Sequence, residues 1–167
     1  MLKFMKKIII AILIFLPFFG CEKDDICPAN TPTTPQVVIE FFDFASNASK
    51  AVTKLKIEDS ESGKLLNVFN EAKIKLPLKT DADISKYSLT LNSDTPTALN
   101  LDKIEIKYSR SNVYISRACG YKTVFTLNNS ASFLVPENSL ATLWIKKITI
   151  TKPNILNEDE THIKIFF

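Results

Sequence analysis

The sequence predicts an all-β fold: an antiparallel, immunoglobulin-like two-sheet sandwich of eight or nine short strands. Three observations predict it. Apolar and polar residues alternate at period two in segment after segment. β-Branched and aromatic residues crowd those same segments. No stretch carries a sustained helical stripe. Antiparallel sheets with one wet face produce this alternation, and several short strands punctuated by turn signals suit two packed layers.

The elements follow in order. Val37-Val38-Ile39-Glu40-Phe41-Phe42 reads as a strand buried on both faces for part of its length. In Val52–Ile57, Leu55 and Ile57 face one way and Lys54 and Lys56 the other. Glu61-Ser62-Gly63-Lys64 is a turn. The next strand is Ala72–Leu78, and Pro77 puts its end at an edge or boundary. Tyr87, Leu89 and Leu91 alternate with Ser88 and Thr90. Ile104, Ile106 and Tyr108 alternate with Lys103, Glu105 and Lys107, the clearest strand in the chain. Ser109-Arg110-Ser111-Asn112 is expected to turn the chain back into Val113–Ser116. Tyr121–Leu127, Leu143–Thr151 and His162–Phe167 complete the set, and single helical turns are expected at most around Asp81–Ser85 or Val135–Leu140. A small transmembrane barrel also alternates. These strands are mostly too short for the 9–11 residues a spanning strand needs, and one Trp with scattered Tyr makes no aromatic girdle.

Ahead of the sandwich lie a basic start (Lys3, Lys6, Lys7), an apolar run from Ile8 to Phe19, then Gly20 and Cys21. The run is too short to span a bilayer, which takes about 20 residues, and suits the core of a secretory signal. The segment resembles a bacterial lipoprotein export signal, although Phe18 stands where that pattern prefers Leu. The resemblance implies cleavage after residue 20 and acyl chains on Cys21. An uncleaved anchor and a cleaved, unlipidated protein are the alternatives. Two or three acyl chains suffice for stable anchoring where one does not. Glu22-Lys23-Asp24-Asp25 resembles the acidic cluster of surface-directed lipoproteins in Bacteroidota. Pro28, Pro32 and Pro35 make residues 21–35 an extended tether, leaving 36–167 as one domain.

Without Lys3, Lys6 and Lys7, the 21 basic residues fall to 18, against 18 acidic ones. The mature chain is formally neutral and shows no clustered Lys/Arg footprint for nucleic acid. Lys146-Lys147 reads as a solvated strand edge. The three cysteines become an even number once Cys21 holds lipid, which leaves Cys27 and Cys119 to pair. Two unpaired buried thiols are the alternative.

The catalytic inventory is thin. His162 is the one histidine, and a hydrolase would need Cys119 beside it, oriented by Glu158, Asp159 or Glu160. Oxidation of Cys119 removes that nucleophile, and a structural histidine on the last strand is the blander reading. There is no G-x-S-x-G elbow, no zinc-ligand spacing and no glycine-rich phosphate loop. Asp81-Ala82-Asp83 lacks the rest of a calcium loop. The sequons at Asn47 and Asn128 read as turns. No catalytic, cofactor-binding or metal-binding residue is assigned, and no cofactor is expected.

Several pieces together resemble an uncharacterised family of Bacteroidota lipoproteins, a domain of unknown function. They are Cys21–Pro28, Thr33-Thr34-Pro35, Leu76-Pro77-Leu78, Ile106-Lys107-Tyr108, Ser116–Tyr121, and Asn157-Glu158 with His162-Ile163. The resemblance implies location and one-domain organisation, and carries no activity. The expectation is therefore a non-enzymatic binding or accessory module, lipid-anchored in the cell envelope at the outer membrane and facing either side of it. Its partners would be the membrane, through the N-terminal lipid, and an envelope protein or glycan. An assembly or structural subunit is the second expectation, and a Cys/His hydrolase the third. Tyr114, Tyr121 and Trp144 are the aromatic candidates for contact, although such rings are more often core.

Overall fold

A computed structural model describes residues 26–95, 100–128 and 143–167. The signal segment, Cys21 and the acidic cluster lie outside the described residues, as do the 135–140 turn and two of the three residues of the Asn128 sequon. The chain forms two compact units. The smaller comprises, among the described residues, 26–31 with 114–121; the larger comprises 32–113 with 122–167.

The larger unit is a β-sandwich without helix among the described residues. Its strands are β1 (Val37–Phe42), β2 (Leu55–Asp59), β3 (Leu65–Phe69), β4 (Lys73–Leu76), β5 (Ile84–Thr90), β6 (Leu101–Ser116), β7 (Gly120–Leu127), β8 (Lys147–Ile150), β9 (Asn154–Ile155) and β10 (Ile163–Phe166). One sheet has the order β4-β1-β10-β8, the other β3-β2-β5-β6-β7-β9. The pairing is antiparallel except between β1 and β10, which run parallel with Ile39 opposite Ile163 and Phe41 opposite Ile165.

The core forms because period-two alternation aims one side of each sheet inward. Val37, Ile39 and Phe41 of β1 and Ile163 and Ile165 of β10 meet Leu55, Ile57, Leu89, Ile104 and Ile106 of the six-stranded sheet. Each such fully buried side chain contributes roughly 1.5–3 kcal/mol over an exposed one. Trp144 packs edge-on to Phe167 at 5.5 Å and donates its indole N–H to the Leu89 carbonyl (3.3 Å), so it is core and not contact surface. Asp102, 1% exposed, faces the core from β6 and accepts the Ile145 N–H at 2.8 Å, tying the segment before β8 to the opposite sheet.

The strand pattern departs from expectation in five places, the smallest being the two-residue strand β9, which was not expected and helps bring the count to ten. Ser109–Asn112 is not a turn: β6 runs straight through it, and the turn falls at Arg117–Cys119. Residues 109–114 are exposed on both faces, so polar residues in succession mark a strand leaving the core rather than a reversal. β3 was not expected, because a bulge opposite Ile57/Glu58 breaks its period. Asp81–Ser85 is bend and strand start instead of a helical turn, and only Lys147–Ile150 of 143–151 is strand. Lys147 lies on an edge strand, as its sequence suggests.

Removing side-chain atoms from β10 should be costly, and trimming a solvated ion pair should not. Ile165→Ala, at a fully buried site, is expected to lose about 2–5 kcal/mol in urea unfolding. Lys152→Ala, which breaks the exposed pair with Glu160 (3.1 Å), should stay within about 0.5 kcal/mol of the parent. Similar losses in both would contradict this core assignment.

Candidate binding surface

The smaller unit takes in the end of β6, the turn after it and the start of β7. Cys119 in the turn donates its N–H to Ser116 Oγ at 3.0 Å. Gly120 follows at φ 70°, the left-handed conformation that a glycine after a short turn supplies without Cβ strain. Cys119 is bonded to Cys27 with Cα atoms 4.9 Å apart, closing a separation of 92 residues. Cys27 opens a turn in which Thr31 N–H reaches the Pro28 carbonyl at 3.0 Å, and the Thr31 hydroxyl lies 3.6 Å from Cys119 Sγ. In the chain-entropy model a loop of this length stabilises by up to about 4–5 kcal/mol.

On this stapled hairpin Tyr114 and Tyr121 stack edge-to-face, with ring centroids 5.2 Å apart and planes at 65°. They are 57% and 68% exposed, and Ile26 beside Cys27 is also exposed. Two large exposed rings, next in the chain to a disulfide-bonded turn, make this an amphipathic patch and the candidate surface.

The remaining candidates resolve as follows. Cys119 is a disulfide half and offers no thiolate. His162 is 2% exposed; its ring Nδ1 accepts the Val38 N–H and its backbone N–H donates to the Val38 carbonyl, both at 3.0 Å. Burial pushes the imidazole below its ordinary value, against the opposing fields of Glu160 and Glu158. Glu158 accepts the Gln36 N–H and pairs with Lys75 at 2.7 Å. Asp83 pairs with the Arg110 guanidinium at 2.6 Å on the rim of a polar cleft of about 640 Å³. Burial raises the Asp102 carboxyl, with the Ile145 and Trp144 N–H groups opposing.

Two surfaces had no signal in the linear sequence. The edge strands β3 and β4 of the two sheets border an open cleft of about 590 Å³ lined by Leu66, Phe69, Ile74 and Leu76. The outer face of the four-stranded sheet collects four lysines from three strands, β4, β10 and β8, which only the pairing register reveals.

The model of a family of unknown function, DUF6452, matches residues 44–167. No curated protein matches the chain, and no solved structure does. The match begins just after β1, yet β1 supplies Val37, Ile39 and Phe41, all 0% exposed, so the folding unit reaches further back than the match.

The buried histidine gives stability a pH dependence. Its folded value lies below the ordinary 6.5, so the unfolded chain takes up the proton first as pH falls. Stability is therefore complete above about pH 6.5 and declines as pH drops towards the folded value. Urea unfolding from about pH 7.5 to about pH 5 should show this decline in the parent. His162→Asn, which keeps an acceptor for Val38, should flatten it; an unchanged slope in that variant would remove His162 as the cause.

Proposed function

Since the chain belongs to the DUF6452 family of unknown function, kinship carries no activity to it, and we propose from its own residues that it is a lipid-anchored cell-envelope module that binds rather than catalyses. Residues 1–20 act as a lipoprotein signal of the Bacteroidota kind, Cys21 carries the acyl chains, and the tether to residue 35 holds the sandwich at the outer membrane. The supporting features are the basic start, the short apolar run and the cysteine after Gly20. The observation that carries the binding role is the exposed Tyr114–Tyr121 pair on a disulfide-braced hairpin. Rigid aromatic rings provide large contact area at small entropic cost, which suits a glycan or a protein surface. Oxidation of Cys119 speaks against the Cys/His hydrolase.

An assembly subunit is the second reading. The β3 edge favours it, because Leu65 and Val68 are exposed there and an unpaired apolar edge is a template for another strand.

The anchor is tested by fractionation. Wild-type protein should stay with membranes and Cys21→Ser should be released; retention of the variant would defeat the anchor. The binding surface is tested by retention on purified envelope polysaccharide and by capture of envelope proteins. Tyr114→Ala with Tyr121→Ala should cut retention at least tenfold without lowering the melting temperature. Undiminished retention would defeat the tyrosine site, and loss on Val68→Lys instead would favour strand-mediated assembly.

A further inference from the structure

We propose that the outer face of the four-stranded sheet docks on the anionic phospholipid headgroups of the membrane that holds the protein; this rests on the anchored reading above. The register sets the face. Lys73, Glu40, Lys164 and Thr149 lie abreast across β4, β1, β10 and β8. In the next row Phe42, Phe166 and Lys147 lie abreast, and on the other side Lys75 stands beside Val38. Strands about 4.8 Å apart make this a face about 15 Å wide.

Its charge is one-sided. Four lysines project from these strands against one carboxylate, Glu40, which accepts the Thr161 hydroxyl at 2.9 Å. Lys75 alone of the four has a carboxylate partner among the described residues, the loop residue Glu158. Lys164 and Lys147 lie over aromatic rings instead, 4.7 Å from the Phe42 centroid and 5.4 Å from that of Phe166. Those rings pack together at 5.4 Å. The six-stranded sheet is built otherwise: Lys56 pairs with Glu58 (3.0 Å), Lys107 with Glu105 (3.0 Å) and Lys86 with Glu61 (3.3 Å). Lys56, Lys86 and Lys107 of the six-stranded sheet are thus paired with carboxylates, whereas Lys73, Lys147 and Lys164 of the four-stranded sheet have no carboxylate within salt-bridge distance among the described residues.

The form of the patch selects the occupant. The ammonium groups are spread over three strands of one sheet face, and no arginine is present in the four strands. Point charges at this spacing suit a layer of headgroups better than one bound anion. Val37 starts the strand beside β4 and follows Cys21 by only sixteen residues. A tether of that length holds the sheet near the bilayer, so even a weak face is engaged at high effective concentration. Each lysine near an anionic leaflet is worth about fivefold in partitioning.

The test uses the exported chain with Cys21→Ser, so that no acyl chain contributes, in co-sedimentation with phosphatidylcholine vesicles with and without about 30 mol% phosphatidylglycerol. Binding is expected only with phosphatidylglycerol and should collapse at high salt. Lys73→Glu, Lys147→Glu and Lys164→Glu together should lower it at least a hundredfold, and single Lys→Gln variants, which spare folding, about fivefold each. The charge-matched control Lys56→Glu, Lys86→Glu and Lys107→Glu should stay within about twofold. Equal loss in the control, or binding indifferent to phosphatidylglycerol, overturns the proposal. So does stronger retention on soluble polyglutamate than on the vesicles, which would seat an acidic polymer there. Mass spectrometry of the native N-terminus reports the acyl anchor separately, so failure of one reading is distinguishable from failure of the other.

Discussion

The last strand must slide between the first and the eighth, and the four-stranded sheet exists only because it does. β10 pairs parallel with β1 on one side and antiparallel with β8 on the other. Just before it, His162 locks the register with two hydrogen bonds to Val38, one through the ring and one through the backbone. After it, Phe167 donates its N–H to the Phe42 carbonyl and accepts that of Phe44. The contacts of β10 and its flanks with β1 join residues more than a hundred positions apart, so most loop-closure entropy is spent before this pairing gains anything. The neutral imidazole is part of that closure: protonated at Nδ1, it would oppose the Val38 N–H with a second donor in a buried place.

Much of the sandwich was legible because period two is a direct image of a half-buried strand. β4, β5, β10 and the inner half of β6 follow it residue by residue, while β1 and β7 bury adjacent residues for part of their length. The misreadings lie where the sheet loses its single wet face. Ser109–Asn112 looks like a turn because both sides of β6 meet water there. In β3 the bulge opposite Ile57/Glu58 puts Leu66 and Phe69 against the core from positions three apart, which no alternation reveals. The parallel pairing of β1 with β10 was illegible for another reason, since it depends on the route of the whole chain.

The candidate surfaces divide along the same line. The cysteine count was enough to suggest Cys27–Cys119, because pairing is chemistry that composition constrains. Which aromatics face water was not: Trp144 has Phe167 and the Leu89 carbonyl to satisfy it, whereas Tyr114 and Tyr121 sit in a small unit none of whose described residues is buried. A brace substitutes there for burial, since a segment with few apolar neighbours cannot offset its ordering entropy by packing.

Net charge hides how differently the two sheets pair their lysines among the described residues. Residues 21–167 carry 18 basic and 18 acidic side chains, a balance that leads one to expect evenly mixed surfaces, yet neutrality is a sum over faces and constrains none of them. On the six-stranded sheet, Lys56 with Glu58 and Lys107 with Glu105 are paired within single strands, so the pattern of the strand itself cancels the charge. On the four-stranded sheet, β4 and β10 alternate lysine with isoleucine, and the cross-strand register aligns Lys73 and Lys164 on either side of Glu40. One carboxylate between two ammonium groups cannot neutralise both. The second ion of each such row must turn to solvent, to an aromatic ring or to an external anion, and Phe42 takes the ring role for Lys164. A cation over a ring keeps its charge available outward in a way that an ion pair does not, so this sheet still presents positive charge to whatever lies against it.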